Sequence, residues 1–462
     1  MPNRVYVNRT LNLKKITHIG FDMDHTLIRY KSENFELLSH QTIVKKLIQN
    51  KNYPKTLNDL KFDFNLAVRG LVIDRFKGNL LKLNRYGAIR AAFHGIKPLD
   101  FKTQRQIYSS TYIDLSSSNY LAIDTTFSIS NAVLFAQIVT LKEEDTANKY
   151  PDFAQIADDV LGMLDEAHRD GSLKNEVKKN LDQYIIKDES VVRGLERFLK
   201  HGKKLFVLTN SDYAYSKLLM DYAINPFLKD HKHWSDLFEY IITLSQKPKF
   251  FYQKQSFLKV DPSTGAMTNF DEKLKPGIYQ GGCATKFTED LDLQGDDILY
   301  IGDHIYGDIL RLKKDCNWRT ALVIEELKEE IESDAKAVPL VQEINRLMQE
   351  KEPLEEEMTK ILTDRIDFPE TAPAKKSDTR ADDLQSKISA IDHEISQMIK
   401  KQLSLYNSSW GQLMRTGNEE SYFAYQLERY ACVYMAKISN LLMYSPRTYF
   451  RAPRRPLSHE IL

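Results

Sequence analysis

Apolar positions along this chain follow two rhythms. Near-continuous apolar runs at 16–21, 203–208, 240–244, 298–301 and 320–324 each end in a polar cluster. Runs of that kind predict strands buried on both faces. Between most of them apolar residues recur every three or four positions, as in 190–200, where Val191, Val192, Leu195, Phe198 and Leu199 share one helical face. Strands alternating with helices predict an α/β fold, a doubly wound parallel sheet that binds ligands at the carboxyl ends of its strands. The polar clusters fall at those ends.

The stretch between the first two strands, 31–200, reads as an insertion. It holds a polar helix over 36–48, and hairpin pieces at 71–74 and 78–82 with Gly78 at the turn. Helical spacing follows over 131–141, 153–167 and 172–184. Beyond Glu326 the chain is charged and helical, with helices expected over 342–363 and 384–404 and a Pro/Ala/Lys/Ser/Asp loop over 369–380. The expected organisation is a core of 1–30 with 201–330, an inserted cap of 31–200, and a C-terminal helical extension of 331–462 suited to a hairpin on the body or on another subunit.

Composition narrows the class. With 462 residues, 42% hydrophobic and 28% charged, the chain is that of an ordinary globular protein with a sizeable core. A net charge of +1 argues against nucleic acid or an anionic membrane as partner, and no apolar run is long enough to span a bilayer. Cys283, Cys316 and Cys432 are scattered and odd in number, which suits a reducing cytoplasm. Near the end, Arg447, Arg451, Arg454 and Arg455 make a basic cluster, the usual reading of which is a solvated tail.

The candidate chemistry sits at four strand ends. In Ile19-Gly20-Phe21-Asp22-Met23-Asp24-His25-Thr26-Leu27 two carboxylates are spaced i, i+2, and so point the same way from a strand. Two such acids repel unless a cation or proton lies between them, and oxygen ligands suit Mg2+. A strand-end turn leading to a helix cap would use the same residue types. Thr209-Asn210-Ser211 offers a hydroxyl and an amide to phosphoryl oxygens, and Lys247 offers an ammonium after the 240–244 run. Gly302-Asp303-His304-Ile305-Tyr306-Gly307-Asp308 places two acids five residues apart.

Taken in this order, Asp22-x-Asp24-x-Thr26, Thr209, Lys247 and Gly302-Asp303-x-x-x-x-Asp308 resemble the four motifs of the haloacid dehalogenase-like (HAD) phosphatases. Phrases such as Gly20-Phe21-Asp22-Met23-Asp24, Gly78-Asn79-Leu80-Leu81-Lys82 and Thr209-Asn210-Ser211-Asp212-Tyr213 are similar to those of the cytosolic purine 5′-nucleotidases that prefer IMP and GMP. The likeness runs from about Val5 to about Arg451. It implies a Rossmann-type HAD core and hydrolysis of purine nucleoside monophosphates, deoxy forms included, to nucleoside and phosphate. Asp22 would be the nucleophile and Asp24 the general acid and base, with Thr26 and Asp308 as orienting residues. Mg2+ would be held by Asp22, the backbone carbonyl of Asp24 and Asp303. Thr209, Asn210 and Lys247 would hold the phosphoryl group. In the cap, Phe127 would stack on the base, with Asp165, His168 and Lys174 around its edge.

The sequence departs from the family at two base-site positions. Asp124 stands where relatives carry asparagine, and Leu161 where they carry arginine. Kinship further implies nucleoside phosphotransferase activity, nucleotide effectors and a homo-oligomer, dimer or tetramer. The same core would serve a phosphatase of another phosphomonoester, and a catalytically idle nucleotide-binding scaffold is the alternative outside enzymes.

Overall fold

His18–Phe21, buried at all four residues, lies in the middle of a ten-stranded sheet. The computed structural model describes residues 4–108, 112–368 and 379–460. Across the sheet the strands run Tyr6–Val7, Val433–Met435, Arg319–Val323, Ile298–Gly302, His18–Phe21, Lys204–Leu208, Tyr240–Thr243, Gly277–Gly281, Phe257–Val260 and Met267–Phe270. The seven from Val433–Met435 to Gly277–Gly281 are parallel, and antiparallel strands close both edges. From His18–Phe21 the chain builds outward through Lys204–Leu208 to one side, then returns to Ile298–Gly302 on the other. The strand order therefore reverses at His18–Phe21, and a crevice opens there at the carboxyl ends. The α/β class and the parallel core are as the apolar runs predict.

The chain divides into two compact units, 1–327 with 413–462, and 328–412. Residues 413–462 thus differ from the expected helical extension. Val433–Met435 joins the sheet beside Arg319–Val323, and Tyr449–Phe450 pairs with Leu11–Asn12. Strands of two or three residues carry too little periodicity to be seen in the sequence, and only the partner's register reveals them. Gly277–Gly281 escaped for a similar reason, with two apolar residues between its glycines.

The insertion also ends earlier than residue 200. It enters and leaves through Arg29–Tyr30 and Ile185–Ile186, which pair antiparallel. The following helix, Glu189–Lys200, buries Val191, Val192, Leu195 and Phe198 in the same cluster as Ile19, Leu205 and Val207 of the sheet. Within the insertion, Leu71–Asp74 and Asn79–Leu83 form the expected hairpin, register Leu71 to Lys82, with Gly78 at φ 68°. They belong to a five-stranded antiparallel sheet with Lys97–Pro98, Ile89–His94 and Tyr120–Ala122. The helix Ile129–Glu144 is buried from Ile129 through Val139. The helix Ser172–Lys179 stops at Asn180, and a separate turn, Leu181–Tyr184, completes the expected 172–184 stretch.

In the second unit a single helix, Leu327–Asp367, runs through Pro339 and Pro353, so the predicted start at 342 was too late. It lies antiparallel to Thr379–Leu403, with ion pairs Arg380–Glu357 at 2.7 Å and Lys351–Asp392 at 2.9 Å, and it forms the expected hairpin. Most of the expected 369–380 loop, residues 369–378, lies outside the described residues, and Thr379 and Arg380 open the second helix. Among the described residues no helix is long and apolar enough to cross a membrane.

One buried acid of the insertion makes stability depend on pH. Glu36 is fully buried and accepts from the Ser130 backbone N–H at 2.7 Å. Burial pushes its carboxyl up from 4.5 to about 7, against that hydrogen bond. The folded chain keeps a proton that the unfolded chain sheds at lower pH. The stability from this group is therefore full below pH 4.5 and is lost as pH rises through 7. Glu36→Gln removes the loss. It should stabilise the protein by about 2.5 kcal/mol more at pH 8 than at pH 5, read from urea unfolding. An equal effect at both pH values would refute this.

Candidate active site

Four adjacent strands deliver the polar clusters to one place. Asp22 follows His18–Phe21, Thr209 to Ser211 follow Lys204–Leu208, Ser245 to Lys247 follow Tyr240–Thr243, and Asp303 follows Ile298–Gly302. The Asp22 N–H still donates to Ile301 O at 2.8 Å, so its carboxylate leaves the sheet at the last paired residue. The chain then turns tightly, with His25 at φ 53° and Ile28 N donating to Met23 O at 2.9 Å. Leu244 and Gln246 also have positive φ, 44° and 58°. Non-glycine residues hold this conformation only where their surroundings enforce it, and such positions gather at functional sites.

Lys247 is the centre of charge. Its Nζ lies 2.7 Å from Asp22 Oδ1 and 2.7 Å from Asp308 Oδ1, and donates to the Tyr300 hydroxyl at 2.9 Å. The Tyr300 hydroxyl in turn donates to Leu208 O at 2.9 Å. Asp308 reaches Lys247 because residue 302 is glycine, since a Cβ there would lie 2.3 Å from Asp308 Oδ2. Burial alone would discharge Lys247, but Asp22 and Asp308 hold its pKa above the ordinary lysine value. Asp22 Oδ1 also accepts from the Met23 N–H at 2.8 Å, whereas Oδ2 has no hydrogen bond among the described residues. That oxygen is left open for other contacts.

Three buried carboxylates, Asp22, Asp303 and Asp308, bring oxygens within 4.8 Å of one another. Burial pushes Asp22 and Asp303 upward. Lys247 opposes the rise at Asp22, and His25 opposes it at Asp303. Among the described residues one ammonium, that of Lys247, pairs with members of this set of three carboxylates. An all-oxygen set of three carboxylates fits a hard divalent cation. The Asp24 carboxylate is not in this group. It accepts from the Tyr30 hydroxyl at 2.7 Å and from Ser211 Oγ at 2.8 Å, and it faces a cavity.

That cavity, about 570 Å³, brings Asp24 together with Phe127, Asp165, His168 and Lys174. The Phe127 ring meets His25, Phe35 and His168 edge-on at 4.3, 5.2 and 5.7 Å. Burial holds the His168 imidazole down at about 4, so the ring is neutral at pH 7. Burial raises the Asp165 carboxyl, opposed by Arg169 one turn on. Lys174 pairs with Asp212 and lies 5.2 Å over the Tyr215 ring.

Four residues sit otherwise than expected. Asp124 does not line this cavity. It is half-buried, and its charged neighbours are His304 and Arg69, so it sits on the Asp303 side, apart from that cavity. Asn210 is occupied by the neighbouring loop, accepting from Lys247 N at 2.6 Å and donating to Lys247 O at 3.0 Å. It fixes the Lys247 backbone. Thr26 is wholly buried, and its hydroxyl has no partner among the described residues, so it does not orient the turn through a hydrogen bond. Thr209 is likewise buried, its Oγ1 accepting from Ser211 N at 3.0 Å. Asp308, expected to orient Lys247 or a metal-bound water, contacts Lys247 Nζ.

Sequence reasoning missed Tyr30, Arg69, Thr125 and Arg169. Only Arg169 carried a signal, since it lies one helical turn after Asp165 on the same face. Arg69 and Thr125 act through contacts between distant segments, and Tyr30 reaches Asp24 across the turn that follows the strand.

Comparison with known proteins gives the family. The family model described as 5′ nucleotidase family matches residues 5–462. A 5′-nucleotidase domain-containing protein of Dictyostelium discoideum is 29% identical over 473 residues, covering 99% of this chain and 75% of the relative. Human 5′-nucleotidase domain-containing protein 2 is 26% identical over 481 residues, covering 99% and 85%. Among solved structures, a predicted phosphoglycolate phosphatase of Haemophilus somnus aligns at 14% identity and a TM-score of 0.29, over 67% of this chain and 85% of the other. A family match across nearly all of the sequence makes this chain a member of the 5′-nucleotidase family of phosphomonoester hydrolases.

Proposed function

We propose that this protein is a Mg2+-dependent 5′-nucleotidase that hydrolyses purine nucleoside monophosphates, IMP and GMP with their deoxy forms, through an aspartyl-phosphate on Asp22. The observation that carries the reading is the free Oδ2 of Asp22 beside Lys247, near a cavity that holds Asp24 and, on its wall, Phe127, Asp165 and His168.

Asp22 Oδ2 attacks phosphorus in line, and the bond to the ribose 5′-oxygen breaks. Asp24 gives that oxygen its proton, releasing the nucleoside. The Asp24 carboxylate then takes a proton from water as the water attacks the aspartyl-phosphate, which restores Asp22 and frees phosphate. Tyr30 and Ser211 hold Asp24 on the cavity side for both transfers. Lys247 balances the charge that develops on the phosphoryl oxygens, and Thr209 and Asn210 support its loop. Asp22 and Asp303, with the Asp24 backbone carbonyl, would hold Mg2+, which when bound neutralises phosphoryl charge. A nucleoside in place of water would turn the second step into phosphotransfer.

The cavity wall supports purine preference. Phe127 offers a face to the base, and Asp165 can accept from the N1–H of a 6-oxopurine, a proton that adenine lacks. The free thiols Cys283, Cys316 and Cys432 suit a cytosolic location.

Phosphate release with Mg2+ from IMP, GMP, AMP, UMP, CMP and a sugar phosphate tests the reading. IMP and GMP should lead by about tenfold or more, about 1.4 kcal/mol in transition-state binding. Asp165→Ala should erase most of the lead over AMP while leaving turnover of AMP near the wild-type rate. A sugar phosphate or pyrimidine in first place would overturn the assignment of the base wall.

A further inference from the structure

Arg69 is nearly inaccessible, at 2% exposure, and has no part in the mechanism above. It belongs to the insertion, between the turn Phe64–Leu66 and the strand Leu71–Asp74. Gly70 beside it has φ +86° and donates to Ile123 O at 2.7 Å, which brings Arg69 alongside Thr125 and Thr126. A Cβ at residue 70 would stand 2.6 Å from Phe423 Cβ, so this close seating needs glycine.

The guanidinium joins three remote segments. Nη1 donates to the Asp303 backbone carbonyl at 2.9 Å. Nη2 donates to Thr126 Oγ1 at 3.1 Å and to Glu326 Oε2 at 2.6 Å, and Nε donates to Glu326 Oε1 at 3.1 Å. The two-pronged pair with Glu326 balances the arginine's charge, so Arg69 shapes its surroundings with little repulsion of a nearby cation. Next to it, Thr125 Oγ1 donates to Asp303 Oδ2 at 3.2 Å. Asp303 is thus gripped twice from the insertion, by its backbone and by its carboxylate.

We propose that Arg69 and Thr125 are positioning residues for Asp303, so that the cation site is complete only when the insertion is seated on the sheet. The inference rests on the reading of Asp303 as a cation ligand. Partners that orient a ligating carboxylate are worth roughly 10–100-fold in metal affinity. Here they come from a different part of the chain than the ligands themselves.

The test is Mn2+ binding to the full chain, followed by electron paramagnetic resonance, for wild type, Arg69→Lys and Thr125→Val. Thr125→Val keeps the side-chain shape and guards against misfolding of the arginine variant, with urea midpoints as the check. Each variant should bind Mn2+ at least about tenfold more weakly. Half-maximal turnover should need correspondingly more cation, with KM for nucleotide at saturating Mn2+ within about twofold of wild type. Folded variants that bind Mn2+ within about twofold of wild type overturn the proposal. Wild type that binds no Mn2+ overturns it together with the proposed cation site. Wild type that binds Mn2+ but releases phosphate from no nucleotide removes the proposed substrate class alone, and the affinity comparison still supports the positioning role.

Discussion

Asp22→Asn should abolish phosphate release, by a factor on the order of 10⁴ or more, as removal of a nucleophile does when no neighbour can replace it. No neighbour can do so here. Asp308 is held by Lys247 and by His304 N at 3.2 Å, and Asp24 is held by Tyr30 and Ser211 on the cavity side. Asparagine keeps the oxygen that accepts from Met23 N, so the turn is preserved. It also removes one of three crowded carboxylates, whose burial raises the Asp22 pKa. The variant should therefore melt no lower than wild type in EDTA, the usual opposition between catalytic arrangement and stability. Turnover is checked by phosphate release from IMP and melting by calorimetry. Activity within tenfold of wild type would remove Asp22 from the nucleophile's role.

Lys247→Met should damage both stability and catalysis. The ammonium is 4% exposed and is shared by two buried carboxylates, so its removal strands both. Breaking a buried pair from one side costs about 3–5 kcal/mol. In the proposed reaction, loss of the charge that balances the phosphoryl oxygens should cost on the order of 10²–10³ in turnover. Mg2+ should recover part of the lost stability, since it neutralises the same acids, but not the turnover. Urea unfolding with and without Mg2+ separates the two effects. An unfolding free energy within about 1 kcal/mol of wild type in EDTA would mean that Asp22 and Asp308 do not depend on this lysine.

Much of the site was legible because its parts are local. A strand that ends in Asp22-x-Asp24, or in Gly302-Asp303, announces itself within a few residues. The insertion was legible as a long interruption between two buried strands, and its hairpin through Gly78. Its far boundary was not, because Glu189–Lys200 is an amphipathic helix whether it packs on the cap or on the sheet, and nothing within it names the surface it covers. The Asn210 amide was read as a phosphate donor because its residue type permits that. The loop carrying Lys247 had already claimed it. At Leu244 and Gln246 the residues themselves disfavour the backbone that they adopt, so the turn that aims Lys247 had no local signature.

The sequence by itself determined the element types, the parallel core and the identity of the charged residues at four strand ends. Periodicity and turn chemistry act over a few residues and need no partner to be read. The tertiary structure alone decided which buried charges compensate one another: Lys247 between Asp22 and Asp308, Arg69 on Glu326 and the Asp303 carbonyl, Tyr30 and Ser211 on Asp24. It also decided that Val433–Met435 belongs to the sheet and that Asp124 does not line the cavity of Phe127 and Asp165. A buried charge is stable only against a partner at hydrogen-bond distance, and that partner is set by strand order and by the seating of the insertion, which join residues far apart in the chain.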